Sequence, residues 1–305
     1  MAWRLHLTDR TVRRIDVLTG KPNMLAAWTS TDRVYFMELQ NGGKLTELQI
    51  HPPKTRATAM WGVFLKTLHA PNGVFLPTVR TPQATIYQLA DGKQRLYRVS
   101  DSELLLEVDG VETQLATEDH QFVAMALDAT LTVGLDRRGA LHYYRQTVHT
   151  ASVDTQLHLT DEMQAHIAII EGGTGVFVSD GEQILLFDGD GRLVRRVDTG
   201  YTLGALACSP DGSFLTTGDL DSNMIRVYDG RRLTPTHQRF AVELLADAKK
   251  TQSISSTLAA NTAVGTLAIT NKGVLVFAMS GMLCATNLTR MIALPHSRMT
   301  SSAEG

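Results

Sequence analysis

A single-domain, all-β propeller of four-stranded blades is the architecture that three features of this sequence predict. The clearest unit lies at residues 203–230. A strand of small residues ends there at Cys208, Ser209-Pro210-Asp211-Gly212 reverses the chain, and further strands run over 214–217 and 224–228. Proline presets the backbone at the first central position of such a turn and glycine accepts a positive φ, so an antiparallel hairpin follows. Thr216, Thr217, Ile225, Val227 and Tyr228 are β-branched or aromatic, and Asp229-Gly230 is expected to supply the next reversal. The second feature is recurrence. Degenerate copies of the polar turn and third strand return at a spacing of ~40 residues, at 31–39, 132–144, 179–188 and 280–288. The third is the tally: about 27 strand-length runs bounded by turn residues, closest to seven blades of four, with six as the alternative.

Taken in order, residues 3–7 and 11–18 form two N-terminal strands placed to complete a blade with 265–294. Such closure removes free sheet edges. Residues 25–80 hold two long hairpins with turns at Asn41-Gly42-Gly43 and Asn72-Gly73. Four strands fit into 84–116, divided at Asp91-Gly92, Ser100-Asp101-Ser102 and Asp109-Gly110. Further blades are drawn at 122–160, 166–198, 203–240 and 267–294. One segment breaks the alternation: Phe240, Leu244, Leu245 and Ala248 stand at helical spacing, which predicts a helix over about 240–251, inserted between two blades. It either caps a blade edge or docks a partner, and 251–262 is the return loop. The propeller spans 1–295, and the small, polar 296–305 reads as a flexible tail.

Composition sets outer limits. Hydrophobic residues make up 43% and charged residues 20% of 305, an ordinary soluble core, and no apolar run approaches the ~20 residues of a membrane span. The charged N-terminal stretch has no secretory pattern, and the cysteines, Cys208 and Cys284, read as reduced core thiols, so a cytoplasmic location is expected. A net charge of −2 argues against nucleic acid, and the four Arg-Arg pairs, at 13–14, 137–138, 195–196 and 231–232, read as a solvated rim.

The fragments Ser209-Pro210-Asp211-Gly212 and Ile225-Arg226-Val227-Tyr228-Asp229 resemble the turn and third strand of WD-repeat propellers, with tyrosine where that family often has tryptophan. In the family a Gly-His pair joins a hydrogen-bonded tetrad with the turn aspartate. Gly200-Tyr201 stands in its place here, and no repeat has the Gly-His pair. Residues 203–245, with Thr236-His237-Gln238-Arg239 and the helix after them, are also similar to bacterial propeller proteins encoded beside MoxR-type ATPases and von Willebrand A-domain proteins. That resemblance implies a non-enzymatic adaptor in an ATP-driven system.

Catalytic templates are missing. There is no P-loop, no Gly-x-Ser-x-Gly elbow, no His-Glu-x-x-His and no Cys-x-x-Cys. Asp188 to Arg192 and Asp219 to Asn223 start like calcium loops, but the sixth and twelfth positions lack the required glycine and glutamate, so both read as hairpin turns. No pair of the 10 histidines has ligand spacing. No catalytic residue, metal ligand or cofactor is therefore assigned. The expected function is a protein–protein interaction scaffold, with Trp61, Tyr143, Tyr201, Arg226, Arg231 and His237 as candidate contacts. The rival is a propeller enzyme, or a binder of a small ligand or metal, acting in the central channel. Carboxylates gathered there would favour the rival, and small apolar residues such as Ala26, Ala205 and Ala268 would oppose it.

Overall fold

Runs of β-branched and aromatic residues between tight turns form 27 strands and one α-helix among the residues described by the computed structural model of the chain. These are residues 2–7, 12–17, 24–29, 33–49, 78–80, 85–88, 94–98, 104–108, 111–115, 122–128, 130–145, 148–157, 159, 165–250, 264–279 and 281–294. The first strand, β1 (Ala2–His6), stands apart from those that follow it. Blade 1 comprises β2 (Val12–Val17), β3 (Met24–Thr29), β4 (Arg33–Glu38) and β5 (Lys44–Gln49). Blade 2 is a sheet of β6 (Thr78–Arg80), β7 (Thr85–Gln88), β8 (Gln94–Arg98), β9 (Leu104–Val108) and β10 (Val111–Gln114). Blade 3 has β11 (Phe122–Leu127), β12 (Thr132–Asp136), β13 (Ala140–Arg145) and β14 (Val148–Asp154), and blade 4 has β15 (His166–Ile169), β16 (Gly175–Ser179), β17 (Gln183–Asp188) and β18 (Leu193–Asp198).

Blade 5 contains β19 (Leu203–Cys208), β20 (Phe214–Asp219), β21 (Met224–Asp229) and β22 (Thr234–Phe240). Helix α1 (Ala241–Asp247) and β23 (Lys249–Lys250) follow it. Blade 6 has β24 (Thr266–Ile269), β25 (Val274–Met279) and β26 (Met282–Asn287), and the last strand is β27 (Ile292–Ala293). Among the described residues every strand pair is antiparallel except β23 beside β1, where Trp3 lies opposite Lys249. The innermost strands β2, β24, β19, β15 and β11 touch in that order, which lays blades 1, 6, 5, 4 and 3 side by side.

Closure is as the sequence predicts in one strand and different in the other. β1 completes blade 6 by pairing with β26 from Ala2 opposite Thr286 to His6 opposite Met282. Residues 12–17, expected in the same blade, instead form the inner strand of blade 1. The ends also interlock: β27 returns to blade 5 and pairs with β22, while β23 covers the outer edge of β1. The described strands thus fall into six sheets, because three sheets carry a fifth strand. Residues 50–77, including the Asn72-Gly73 turn, and the 251–262 loop and 296–305 tail lie outside the described residues.

The core sits between blades. Val133, Leu135, Leu141 and Tyr143 of blade 3 meet Val176, Val178, Leu185 and Phe187 of blade 4. Phe177, Ile184 and Leu186 of blade 4 likewise meet Leu203, Leu215, Tyr228 and Leu233 of blade 5. Helix α1 joins the next interface, where Ala241, Leu244 and Leu245 pack with Ile225, Val227, Leu267 and Phe277. The Arg4 guanidinium donates to the Leu245 carbonyl at 2.5 Å, and Arg239 donates to Glu243 and Asp247 at 3.2 and 2.6 Å. The inner face of α1 is therefore spent on holding blades 5 and 6 together.

The turns show one difference from expectation. Asp229-Gly230 does not make the reversal through a left-handed glycine. Asp229 Oδ1 accepts the amides of Arg231 and Arg232, and the positive φ (52°) falls on Leu233. Gly230 serves close approach instead, since a Cβ there would collide with the Gly212 carbonyl oxygen. Blade 4 repeats the device, with Gly189 against the Gly173 carbonyl.

Candidate functional site

The junction of blades 4 and 5 gathers the largest share of the candidate residues. The loop between β18 and β19 carries Gly200-Tyr201, and the tyrosine ring turns back over blade 5. Its hydroxyl lies 2.6 Å from Thr217 Oγ1 and 2.8 Å from the Tyr228 hydroxyl. The Arg226 guanidinium stacks 3.8 Å from the Tyr201 ring centroid and donates to Asp219 Oδ2 at 3.2 Å. Asp219 Oδ1 accepts the amides of Asp221 and Ser222. Burial works against its charge, but the hydrogen bonds from Ser222, Asp221 and Arg226 hold the carboxyl below the usual carboxylate range. Burial pushes both tyrosine hydroxyls up, so they act as neutral hydrogen-bonding groups. Tyr201 thus joins strands β20 and β21 through its hydroxyl.

Tyr201→Phe would leave the Thr217 and Tyr228 hydroxyls without their shared partner in a half-buried site. A loss of about 2 kcal/mol is expected, read as a lower urea midpoint at unchanged slope.

Beside this cluster opens a cleft of about 450 Å³ lined by Glu182, Gln183, Asp198, Gly200, Tyr201 and Thr202. Glu182 and Asp198 are exposed, so the cleft presents two carboxylates. Neither acid was singled out from sequence. Glu182 precedes β17 and Asp198 ends β18, and the antiparallel pairing of these two strands within blade 4, with Gln183 opposite Asp198, brings them to one opening.

The other candidates divide. Tyr143 is 1% exposed and belongs to the core between blades 3 and 4, so its ring has no surface to offer a partner. Arg231 is exposed on the turn after β21. His237 is half-buried on β22, with Nδ1 3.0 Å from Thr236 Oγ1 and its strand flanked by β27. Trp61 lies outside the described residues. Of the six, Tyr201 and Arg226 are brought into contact, and both are used in holding blade 5.

Blade 3 holds a constellation that the sequence reading missed. His142 Nε2 is 3.1 Å from Asp136 Oδ2, and Nδ1 is 2.9 Å from Ser152 Oγ, which also lies 2.9 Å from His149 Nε2. These are the residue types of a hydrolytic triad. Their positions, however, repeat those of blade 5. Asp136 and Asp219 each end the second strand, and His142 and Arg226 are each third in the next. Asp136 Oδ1 also accepts the turn amides of Arg138 and Ala140. The pair is a clip between strand and turn, and the near-equal spacing of Asp136 to His142 and Asp219 to Arg226 was the sequence signal for it.

Four of the inner strands, β11, β15, β19 and β24, contain no acidic residue, whereas β2 contains Asp16. Ala205 and Ala268 lie on two of the four but are buried in the cores between blades, and Ala26 sits on β3, one strand further out. Among the described residues no group of three His, Cys, Asp or Glu side chains could hold a metal ion. The carboxylates that open the two calcium-like loops are engaged in turns: Asp188 Oδ1 accepts the amides of Asp190 and Arg192, and Asp219 is paired as above. Cys208 and Cys284 are both free, and burial pushes each thiol up to about 12.

His166, at the start of β15, gives a pH signature. Burial pushes its imidazole below the ordinary range, against a hydrogen bond with the Leu203 backbone. The folded state therefore binds a proton less readily than the unfolded chain, which titrates near ~6.5. Stability is full above that pH and falls as pH drops toward the folded value. Unfolding midpoints measured from about pH 8 to about pH 5 should fall more steeply for the native protein than for His166→Gln.

No family model and no curated protein matches the sequence. Solved structures do match. The β-propeller domain of Cps50 (Swd1) from Myceliophteria thermophila is similar with a TM-score of 0.63 and 11% identity, over 92% of this chain and 98% of that one. KlHsv2 with loop 6CD replaced by a Gly-Ser linker is similar with a TM-score of 0.51 and 12% identity, over 90% of each chain. At such identity the likeness is one of fold: the chain is a β-propeller.

Proposed function

We propose that this protein is a non-enzymatic scaffold or adaptor for protein–protein interaction in the cytoplasm, with its contact surface centred on the junction of blades 4 and 5. The observation that carries the reading is the cleft there, in which exposed acids stand beside Tyr201, whose hydroxyl is held by those of Thr217 and Tyr228. A rigid surface lowers the ordering cost of binding, and loops on a rigid scaffold are where binding residues concentrate. A stable contact needs ~800 Å² from each side, within reach of one propeller face.

The adaptor resemblance makes a MoxR-type ATPase or a von Willebrand A-domain protein the first partner to test. Affinity purification of the tagged protein from its native host, at low and high salt, should retain a stoichiometric protein. The double variant Glu182→Lys, Asp198→Lys should lose it. Recovery of the bait alone at both salts would reject the scaffold reading.

A further inference from the structure

Blades 4 and 5 are built alike but finished differently. In blade 5 the register shifts between Val227 and Tyr228, and Val227 lies opposite His237 just before that bulge. In blade 4 the same shift falls between Leu186 and Phe187, and Leu186 lies opposite Arg195. Arg195 and Arg196 therefore occupy the places of His237 and Gln238. Those two residues are the ones to which β27 adds as a fifth, antiparallel strand. On blade 4 nothing among the described residues pairs with the outer side of β18.

That edge is also chemically distinctive. Leu193 is 50% and Val194 53% exposed, and Arg192, Arg195 and Arg196 are exposed around them. Arg196 already donates to the Thr155 carbonyl of the neighbouring blade at 3.0 Å, which leaves Arg195 on β18 and Arg192 in the turn before it as the exposed cations beside that edge. The outer strand of blade 3, β14, has neither arginine nor lysine. An open edge offers backbone donors and acceptors to an added strand, and the flanking side chains set its specificity. A second copy pairing through the same edge would set arginines against arginines, which disfavours it. An acidic segment would meet them with opposite charge.

We propose that β18 accepts an extended, acidic peptide segment of a partner protein as the fifth strand of blade 4, in the place that β27 takes on blade 5. The inference rests on the scaffold reading and names the chemistry of the partner. Asp198 ends β18 and with Glu182 lines the cleft, so the acidic residues of the segment are expected along the Arg192 and Arg195 end of the strand, away from that opening.

The test is fluorescence anisotropy with a labelled peptide of alternating glutamate and valine, beside its lysine counterpart and a copy N-methylated at alternate residues. Saturable, salt-sensitive binding of the glutamate peptide is expected, with the other two weaker by about fivefold or more. Arg192→Glu combined with Arg195→Glu should weaken the glutamate peptide by a similar factor and favour the lysine peptide. Both sites are exposed, so folding should be retained, checked by circular dichroism. Equal binding of the N-methylated peptide, or indifference to the arginine reversal, would overturn strand addition. So would a concentration-dependent dimer that the same variant abolishes, since the edge would then serve a second copy. If the native-host partner is kept by the arginine variant but lost with Glu182→Lys, Asp198→Lys, strand addition fails while the scaffold reading stands.

Discussion

Gly230→Ala should destabilise the protein by about 3 kcal/mol, because the added carbon meets backbone and no rotamer change can relieve it. Gly230 follows β21 and lies against the Gly212 carbonyl of the turn between β19 and β20, while its own amide donates to the Ser213 carbonyl at 2.9 Å. Relief would require moving one of two turns that the blade holds in register. Gly189→Ala in blade 4 should behave alike, since its Cβ would meet the Gly173 carbonyl. Gly265→Ala is the control: the nearest atoms to a Cβ there are 4.0 Å away. It should stay within about 0.5 kcal/mol of the native protein. Urea unfolding of the three variants tests the idea, and equal midpoints for Gly230→Ala and Gly265→Ala would refute it.

Trp3→Ala should cost about 3–5 kcal/mol, as removal of a buried tryptophan does. Trp3 is 3% exposed on β1, its indole N–H donates to the Leu39 carbonyl at 2.8 Å, and its ring packs on Gly42. One side chain thus ties the strand that completes blade 6 to the turn between β4 and β5 of blade 1. Trp3→Phe keeps most of the apolar contact and loses the donor, so about 1 kcal/mol is expected. Denaturant unfolding followed by circular dichroism gives both values. A Trp3→Ala protein as stable as Trp3→Phe would show that the ring does not hold the two blades together.

Blades 3, 4 and 5 were legible at nearly the observed boundaries, because turn residues and alternation act over a few neighbours. The helix was legible from its spacing, and so was the use of an N-terminal strand to complete the last blade. The fate of residues 12–17 was not, since a strand's own pattern does not say which sheet it joins. Tyr143 looked like a surface aromatic and is core, because the neighbouring blade covers it. Tyr201 and Arg226 looked like separate contacts and form one stack.

The all-β class, the turns and the order of the strands are written in the chain itself, since each follows from local backbone preference and side-chain alternation. The closing of two edges by β23 and β27 and the packing of Tyr143 beneath the neighbouring blade emerge only when the blades assemble. Each of these depends on contacts between residues far apart in the chain, and local preferences do not encode such contacts.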